Sequence, residues 1–210
     1  MLQKTWELAI VTCLTIARFP LILLFFVGAL WNVHHPSLWL FVASTVALVL
    51  SAVTDLFDGL LARRYKVETQ FGAHADPLMD KFFYLTTLPL LIYIAEKKDH
   101  HVHGTVILIM TLAFLTRDQW VTFLRSIGSI YQVSGKAHWA GKLRTAINLP
   151  LFGAMYVYEE CPVPLIPPLL LYLAEAFAFL INAVSLYTYT RYYWPYLVKA
   201  ATVVKSSKDP

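Results

Sequence analysis

The sequence contains little charge. Only 14% of its 210 residues are charged, while 58% are hydrophobic, whereas an average soluble domain has about 25% charged and about 45–50% apolar residues. This balance excludes an ordinary soluble globular protein. Long uncharged runs occur, such as 38–54 and 165–174, and several runs approach the roughly 20 apolar residues that cross the hydrocarbon core of a bilayer. The composition therefore predicts an integral membrane protein with short loops.

Cysteine and clustered basic residues are scarce too. Cys13 and Cys161 do not imply a disulfide framework, and no basic run interleaved with aromatics outside the hydrophobic spans indicates a nucleic-acid partner. The N-terminal apolar run is interrupted by Arg18 and has no clear small-residue cleavage site, so a retained first helix is expected rather than a signal peptide. No Arg- and Ser-rich transit segment indicates an organelle, which favours the inner membrane of a bacterium.

Hydrophobic runs and helix breakers predict an all-α integral membrane protein with six transmembrane helices. Lysine and arginine concentrate at the termini and in the connections 63–76 and 128–140. The positive-inside rule therefore places both termini and these two connections in the cytoplasm. The predicted spans cover residues 6–31, 37–62, 77–95, 104–127, 141–158 and 163–189.

Two polar segments lie outside the predicted spans. Residues 1–190 are expected to form the transmembrane domain, and the basic residues 191–210 an interfacial or flexible tail that is attracted to anionic lipid. The connection that contains His100, His101 and His103 also holds lysine and aspartate. It is expected to be a solvated loop rather than a metal site.

The densest acidic group comprises Asp55, Asp58, Asp76 and Asp80, at the end of the second helix and the start of the third. Asp55 and Asp58 are three residues apart and Asp76 and Asp80 four apart, so each pair shares one helix face. A short connection makes the two helices neighbours, which brings four carboxylates together near the cytoplasmic membrane surface. Because hard oxygen ligands suit Mg²⁺, Mn²⁺ or Ca²⁺, the group predicts a pair of divalent cations.

Simpler interpretations exist for part of this group. Asp76 precedes Pro77, as an N-cap precedes a proline at the first helical position. Asp80 could form a surface pair with the adjacent Lys81. Neither interpretation explains Asp55 and Asp58, which directly follow a long apolar run where charge is costly.

The four aspartates and the residues between them form the pattern D-x2-D-G-x2-A-R-x8-G-x3-D-x3-D. This pattern resembles the signature of the CDP-alcohol phosphatidyltransferases. The resemblance implies a six-helix membrane enzyme that forms a homodimer, with two divalent ions and an active-site cavity that faces the cytoplasm. It also implies that the four aspartates bind the metals and that Asp80 is the general base. The nucleotide of CDP-diacylglycerol would be bound at Gly59, Ala62, Arg63 and Gly72. The pattern D-x2-D-G-x2-A-R-x8-G-x3-D-x3-D is occupied without departure by Asp55, Asp58, Gly59, Ala62, Arg63, Gly72, Asp76 and Asp80.

Basic side chains in or beside the fourth and fifth helices indicate the acceptor. Arg117 and Asp118 form a charged step inside an apolar helix, which normally faces a water-filled cavity, although a structural ion pair is the alternative. Lys142 and Arg144 could also be positive-inside anchors. Together with Arg125, these cations predict an acceptor that carries a phosphate.

Further segments resemble the phosphatidylglycerophosphate synthase branch of the family. They are residues 69–81, the stretch 141–145 with Arg144 in place of a second lysine, and Thr15 and Arg18 in a T-x-x-R pattern. The resemblance implies that glycerol 3-phosphate is the acceptor. Arg18 would then reach the headgroup or nucleotide, with a structural ion pair as the alternative.

The predicted function is therefore a membrane transferase that makes phosphatidylglycerophosphate and CMP from CDP-diacylglycerol and glycerol 3-phosphate. An inositol phosphate, or phosphatidylglycerol as in cardiolipin synthase, is an alternative acceptor. A membrane prenyltransferase and a divalent-cation transporter are alternatives of other classes. A transporter predicts carboxylates near the bilayer midplane, whereas the four aspartates lie by helix ends on one side.

Overall fold

A computed structural model of the chain describes residues 2–65, 67, 70–133 and 139–202. Over these ranges the chain is entirely helical apart from short turns, because long apolar runs satisfy their backbone hydrogen bonds within each segment. The helices are α1 Leu2–His34, α2 Leu38–Tyr65, α3 Gln70–Lys97, α4 His101–Ile130, α5 Trp139–Glu160 and α6 Pro168–Thr202.

Five of the helices are long and apolar enough to cross a membrane. Their outward faces carry large apolar side chains such as Leu24, Trp39 and Leu173, an arrangement that suits lipid and not water. The prediction of an all-helical integral membrane protein is confirmed. The five candidate spans within the described ranges are Val11–His34, Leu38–Leu61, Leu78–Lys97, His101–Ile130 and Pro168–Thr202.

The predicted fifth span corresponds to α5, which is not among these five candidate spans of the described ranges. Its uncharged part is residues 145–158, bounded by Arg144 and Glu159. At 1.5 Å per residue, such a segment is shorter than the roughly 30 Å hydrocarbon core of a bilayer.

The chain divides into two compact units. Unit 1 comprises Met1–Leu108 and Phe152–Pro167, and unit 2 comprises Ile109–Leu151 and Pro168–Pro210. In unit 1, α1 packs along α2 and passes close to it at Gly28, where an added Cβ would stand 2.5 Å from the hydroxyl oxygen of Ser44. This close approach holds α1 against the N-terminal half of α2.

In unit 2, the buried side of α6 packs against α4. The core there consists of Val121, Leu124, Tyr189 and Tyr193. The predicted sixth helix, 163–189, differs from the observed Pro168–Thr202 at both ends. Hydropathy falls at Arg191, but the helix continues because helix formation does not require an apolar sequence. The division into a domain and an interfacial tail stays a prediction.

The histidine-containing connection is not a solvated loop throughout. His103 lies in the first turn of α4, is buried, and donates to the carboxylate of Glu159 at the end of α5. His100 Nδ1 lies 2.9 Å from the other oxygen of that carboxylate. Burial alone would raise the pKa of Glu159, but the hydrogen bonds from His103 and His100 outweigh it and hold the pKa below its ordinary value. The expectation of a solvated loop is therefore wrong for His103.

Candidate active site

The first part of the site joins α1 to α2. Arg18 and Asp58 are both almost fully buried, with exposed fractions of 3% and 4%. Arg18 Nη2 donates to Asp58 Oδ2 at 2.7 Å and lies 2.5 Å from Asp55 Oδ1. The hydroxyl of Thr15, one turn earlier in α1, donates to the same Asp58 oxygen at 3.1 Å. One guanidinium thus contacts both carboxylates of the α2 pair.

A third carboxylate comes from α3. Asp80 Oδ1 lies 3.9 Å from Arg18 Nη1. The Asp80 side chain is 51% exposed and that of Asp55 is 30% exposed, so both remain accessible from outside the helix pair. Three predicted metal ligands therefore face one cation. Because three carboxylates outnumber one guanidinium, the group keeps an excess of negative charge.

Several predicted site residues have side chains outside the described part of the structure. Their backbones lie in α2, α3 and α5, but nothing is assigned to their contacts. Gly59 is described and lies in α2, directly after Asp58. The predicted residues whose side chains are outside the description are Ala62, Arg63, Gly72, Asp76 and Lys142.

The predicted acceptor cations belong to unit 2, where Asp118 accepts from two arginines. Arg144 approaches it with both terminal nitrogens, Nη2 at 2.9 Å from Oδ2 and Nη1 in contact with Oδ1. Arg117 Nη1 donates to Oδ1 at 2.9 Å. The structural ion pair that was the alternative interpretation of Arg117 and Asp118 is therefore present. Two buried guanidiniums therefore meet at the carboxylate of Asp118.

Arg125 lies two turns further along α4 and is exposed. Its Nη2 donates to the hydroxyl of Tyr189 at 2.9 Å. Arg117 Nη2 donates to the hydroxyl of Ser185, also from α6. The structure thus brings Arg117 and Arg125 to the same face of α6.

Sequence reasoning missed Ser185 and Tyr189. A periodic signal exists: on the buried face of α6, small or polar residues recur every three or four positions in an otherwise apolar helix. Asn182 continues this row and donates to Asn148 Oδ1 at 3.1 Å. Such a row indicates a helix face turned toward polar groups rather than lipid. The buried residues of α6 are Leu171, Glu175, Ala178, Asn182, Ser185, Tyr189 and Tyr193.

Comparison with known proteins identifies the family. The model of the CDP-alcohol phosphatidyltransferases matches residues 8–198. The chain belongs to the CDP-alcohol phosphatidyltransferase family. It is therefore an enzyme of this class, a membrane transferase of phospholipid biosynthesis.

Bacterial members of the CDP-alcohol phosphatidyltransferase family are similar over most of the chain. A protein of Yersinia pestis (strain Pestoides F) is 33% identical over 175 residues, 82% of this chain and 90% of its own. One of Pectobacterium atrosepticum is 34% identical over 170 residues, 80% and 87% of the two chains. One of Sodalis glossinidius is 35% identical over 145 residues, 68% and 74% of the two chains. All three are named CDP-diacylglycerol--glycerol-3-phosphate 3-phosphatidyltransferase.

CDP-alcohol phosphatidyltransferases generally use a divalent metal ion. The oxygen donors of Asp55, Asp58 and Asp80 fit a hard cation such as Mg²⁺ or Mn²⁺. As they stand, the described side chains include no group of three or more acidic, histidine or cysteine residues arranged to hold an ion. The guanidinium of Arg18 lies within 4 Å of an oxygen of each of these three carboxylates.

Proposed function

We propose that the chain transfers the phosphatidyl group of CDP-diacylglycerol to glycerol 3-phosphate, which yields phosphatidylglycerophosphate and CMP. The names of its relatives support both substrates. The observation that carries the acceptor assignment is the buried pair Arg117 and Arg144, which both contact the carboxylate of Asp118. An uncharged acceptor has no use for two buried guanidiniums, whereas a phosphate monoester is bound well by arginine.

The proposed reaction is a displacement at phosphorus. The acceptor hydroxyl oxygen forms a bond to the phosphorus that carries the diacylglycerol, and the bond from that phosphorus to the CMP oxygen breaks. Asp80 takes the proton of the hydroxyl, which raises its nucleophilicity as the bond forms. Its 51% exposure leaves the carboxylate open to a substrate, and the nearby guanidinium of Arg18 favours its charged form.

The other residues bind and orient. We assign Asp55, Asp58, Asp76 and Asp80 as the ligands of two divalent ions, Mg²⁺ or Mn²⁺. When bound, these ions supply charge neutralisation at the diphosphate. Gly59, Ala62, Arg63 and Gly72 are assigned to the nucleotide. The acceptor phosphate is assigned to Arg117, Arg125, Lys142 and Arg144.

We also propose how the chain lies in the membrane. Residues 141–158 would cross the membrane as the fifth of six spans. Both termini and the site cavity would face the cytoplasm of a bacterial inner membrane. Lysine and arginine are concentrated at the termini and in the connections 63–76 and 128–140, which supports this orientation. The segment 191–210 would contact anionic lipid, and the protein would act as a homodimer.

An acceptor panel tests the proposal. Purified protein is given CDP-diacylglycerol and Mg²⁺ or Mn²⁺, and CMP release is measured with glycerol 3-phosphate, inositol phosphate, serine or phosphatidylglycerol. We expect release with glycerol 3-phosphate only. Release with serine or phosphatidylglycerol alone would contradict the acceptor assignment. Metal flux across proteoliposomes without any CMP release would favour a divalent-cation transporter.

A further inference from the structure

Tyr189 occupies a central position in the cation cluster of unit 2. The side chain is fully buried on α6. The guanidinium carbon of Arg117 lies 5.2 Å from the centroid of its ring, and that of Arg125 also lies 5.2 Å away. A cation over an aromatic face within about 6 Å is attracted by the ring's quadrupole. One aromatic ring thus attracts two arginines that would otherwise repel each other.

The hydroxyl of Tyr189 adds direction to this attraction. It accepts a hydrogen bond from Arg125 Nη2 at 2.9 Å. Arg125 is exposed and long, so without this bond its guanidinium could adopt many rotamers. The hydrogen bond restricts Arg125 to the rotamers in which its guanidinium lies beside the same ring as that of Arg117.

The first turn of α5 passes close to the same hydroxyl. A Cβ added at Gly141 would stand 2.8 Å from the Tyr189 oxygen and 3.4 Å from its Cε2. Contacts under about 3 Å require one group to move, and a buried ring between two guanidiniums has little freedom to do so. Gly141 opens the basic stretch 141–145. Its lack of a side chain therefore preserves the position of Tyr189.

Arg117 retains a hydrogen-bond donor for a ligand. Its Nη1 donates to Asp118 and its Nη2 to Ser185. Its Nε is buried and has no hydrogen-bond partner among the described residues. Buried donors are nearly always satisfied in folded proteins, by protein or by ordered water, so this donor is free to bond to a ligand atom. A phosphate oxygen is an acceptor of the right charge.

We propose that Tyr189 is a positioning residue of the acceptor site, which holds Arg117 and Arg125 so that both bind the phosphate monoester of the acceptor. This inference rests on the proposed function, because it assigns the acceptor's phosphate to this cluster. Tyr189 touches neither substrate nor reacting atoms. It acts through the two guanidiniums, and Gly141 protects its position.

The test compares Tyr189→Phe, which keeps the ring and removes the hydroxyl, with Tyr189→Leu, which removes both. KM for glycerol 3-phosphate and for CDP-diacylglycerol is measured by CMP release. Losing a hydrogen bond to a charged group should raise KM for glycerol 3-phosphate about tenfold in Tyr189→Phe. Losing the aromatic face as well should raise it about tenfold further in Tyr189→Leu. KM for CDP-diacylglycerol and the thermal midpoint of Tyr189→Phe should stay at the wild-type values.

Gly141→Ala provides an independent variant, since it displaces the hydroxyl without changing Tyr189. It should raise KM for glycerol 3-phosphate in the same direction. Two controls match these variants. Gly153→Ala changes a glycine of the same helix where an added Cβ meets nothing within 4 Å, and Tyr187→Phe removes a phenol of α6 that is 65% exposed. Both controls should leave KM for glycerol 3-phosphate unchanged.

A binding measurement separates this inference from the proposed function. Isothermal titration calorimetry measures the affinity of the wild type and of Tyr189→Phe for glycerol 3-phosphate, and glycerol serves as the uncharged control ligand. If the wild type releases no CMP with glycerol 3-phosphate, the proposed function fails, and calorimetry alone decides the role of Tyr189. Weaker binding of glycerol 3-phosphate by Tyr189→Phe supports the inference. Equal binding by the variant, no binding by the wild type, or equal rises in both KM values would overturn it.

Discussion

The guanidinium of Arg18 lies 2.7 Å from the carboxylate of Asp58, and both side chains are almost fully buried. The two residues are 40 positions apart, on α1 and α2. Removing one partner of a buried ion pair leaves an uncompensated charge, which typically costs about 3–5 kcal/mol. Arg18 therefore stabilises the acidic group, and it contacts the carboxylate oxygens that we propose as metal ligands.

Replacing Arg18 should strengthen the effect of divalent ions on stability. Arg18→Gln leaves the carboxylates of Asp55, Asp58 and Asp80 without their guanidinium, so we expect a lower thermal midpoint in EDTA. A bound ion stabilises the folded state by mass action. Adding Mg²⁺ should therefore raise the midpoint more in Arg18→Gln than in the wild type, as measured by thermal unfolding in detergent.

Arg64→Gln is the control for this experiment, because it removes an exposed arginine near the end of α2. Its response to Mg²⁺ should match that of the wild type. If Arg18→Gln gains no more from Mg²⁺ than Arg64→Gln does, competition between Arg18 and the metal is excluded.

Replacing Asp80 should remove turnover and keep substrate binding. Asp80→Asn retains the shape of the side chain but cannot accept the hydroxyl proton, so we expect kcat to fall about 10²–10⁴-fold. Binding of CDP-diacylglycerol should remain measurable. Asp99→Asn is the control, since Asp99 is 92% exposed in the connection between α3 and α4. Substantial residual CMP release by Asp80→Asn would exclude Asp80 as the general base.

The helices and the acidic group could be predicted because both depend on local periodicity. Long apolar runs identify membrane helices, and a spacing of three or four residues puts Asp55 and Asp58 on one face. The structure places these two and Asp80 beside one cation. Their assignment as metal ligands stays a prediction.

The partners of these residues could not be predicted from spacing. Arg18 reaches α2 and α3 through tertiary packing, and nothing in its T-x-x-R context specifies which carboxylates it meets. Tyr189 is the last residue of the predicted span 163–189, and its position in the sequence indicates no partner. Its burial beside Arg117 and Arg125 depends on which face of α6 packs against α4. Side-chain polarity along a helix indicates which face is buried, but not which residues face it.

Asp118→Asn should destabilise unit 2 and lower the affinity for the acceptor. The carboxylate of Asp118 holds Arg117 and Arg144, both buried. An amide cannot neutralise them, so the two guanidiniums repel, and we expect the free energy of unfolding to fall by about 3 kcal/mol. Urea unfolding followed by tryptophan fluorescence measures this loss. Thr122→Ala, one turn further on α4 and exposed, should change the stability little.

A gain in affinity for glycerol 3-phosphate in Asp118→Asn would contradict the second expectation. The outcome distinguishes two roles of Asp118. If it only neutralises the cations, its removal frees them for phosphate and lowers KM. If it orients Arg117 and Arg144, as the paired contacts of Arg144 indicate, its removal raises KM for glycerol 3-phosphate and leaves KM for CDP-diacylglycerol unchanged.

The Glu159 carboxylate should contribute a pH-dependent stability. Glu159 lies just beyond the predicted span 141–158 and faces His100 and His103, while Lys98 donates to its backbone oxygen. Its pKa in the folded protein is held below the ordinary value of 4.5. The stabilisation is therefore complete above about pH 4.5 and is lost as pH falls through the folded-state pKa, where the carboxylate is protonated.

Comparing Glu159→Gln with the wild type isolates this contribution from those of other carboxylates. Thermal midpoints should differ most at neutral pH and converge below pH 4.5. A difference that widens on acidification would contradict the hydrogen-bonded carboxylate.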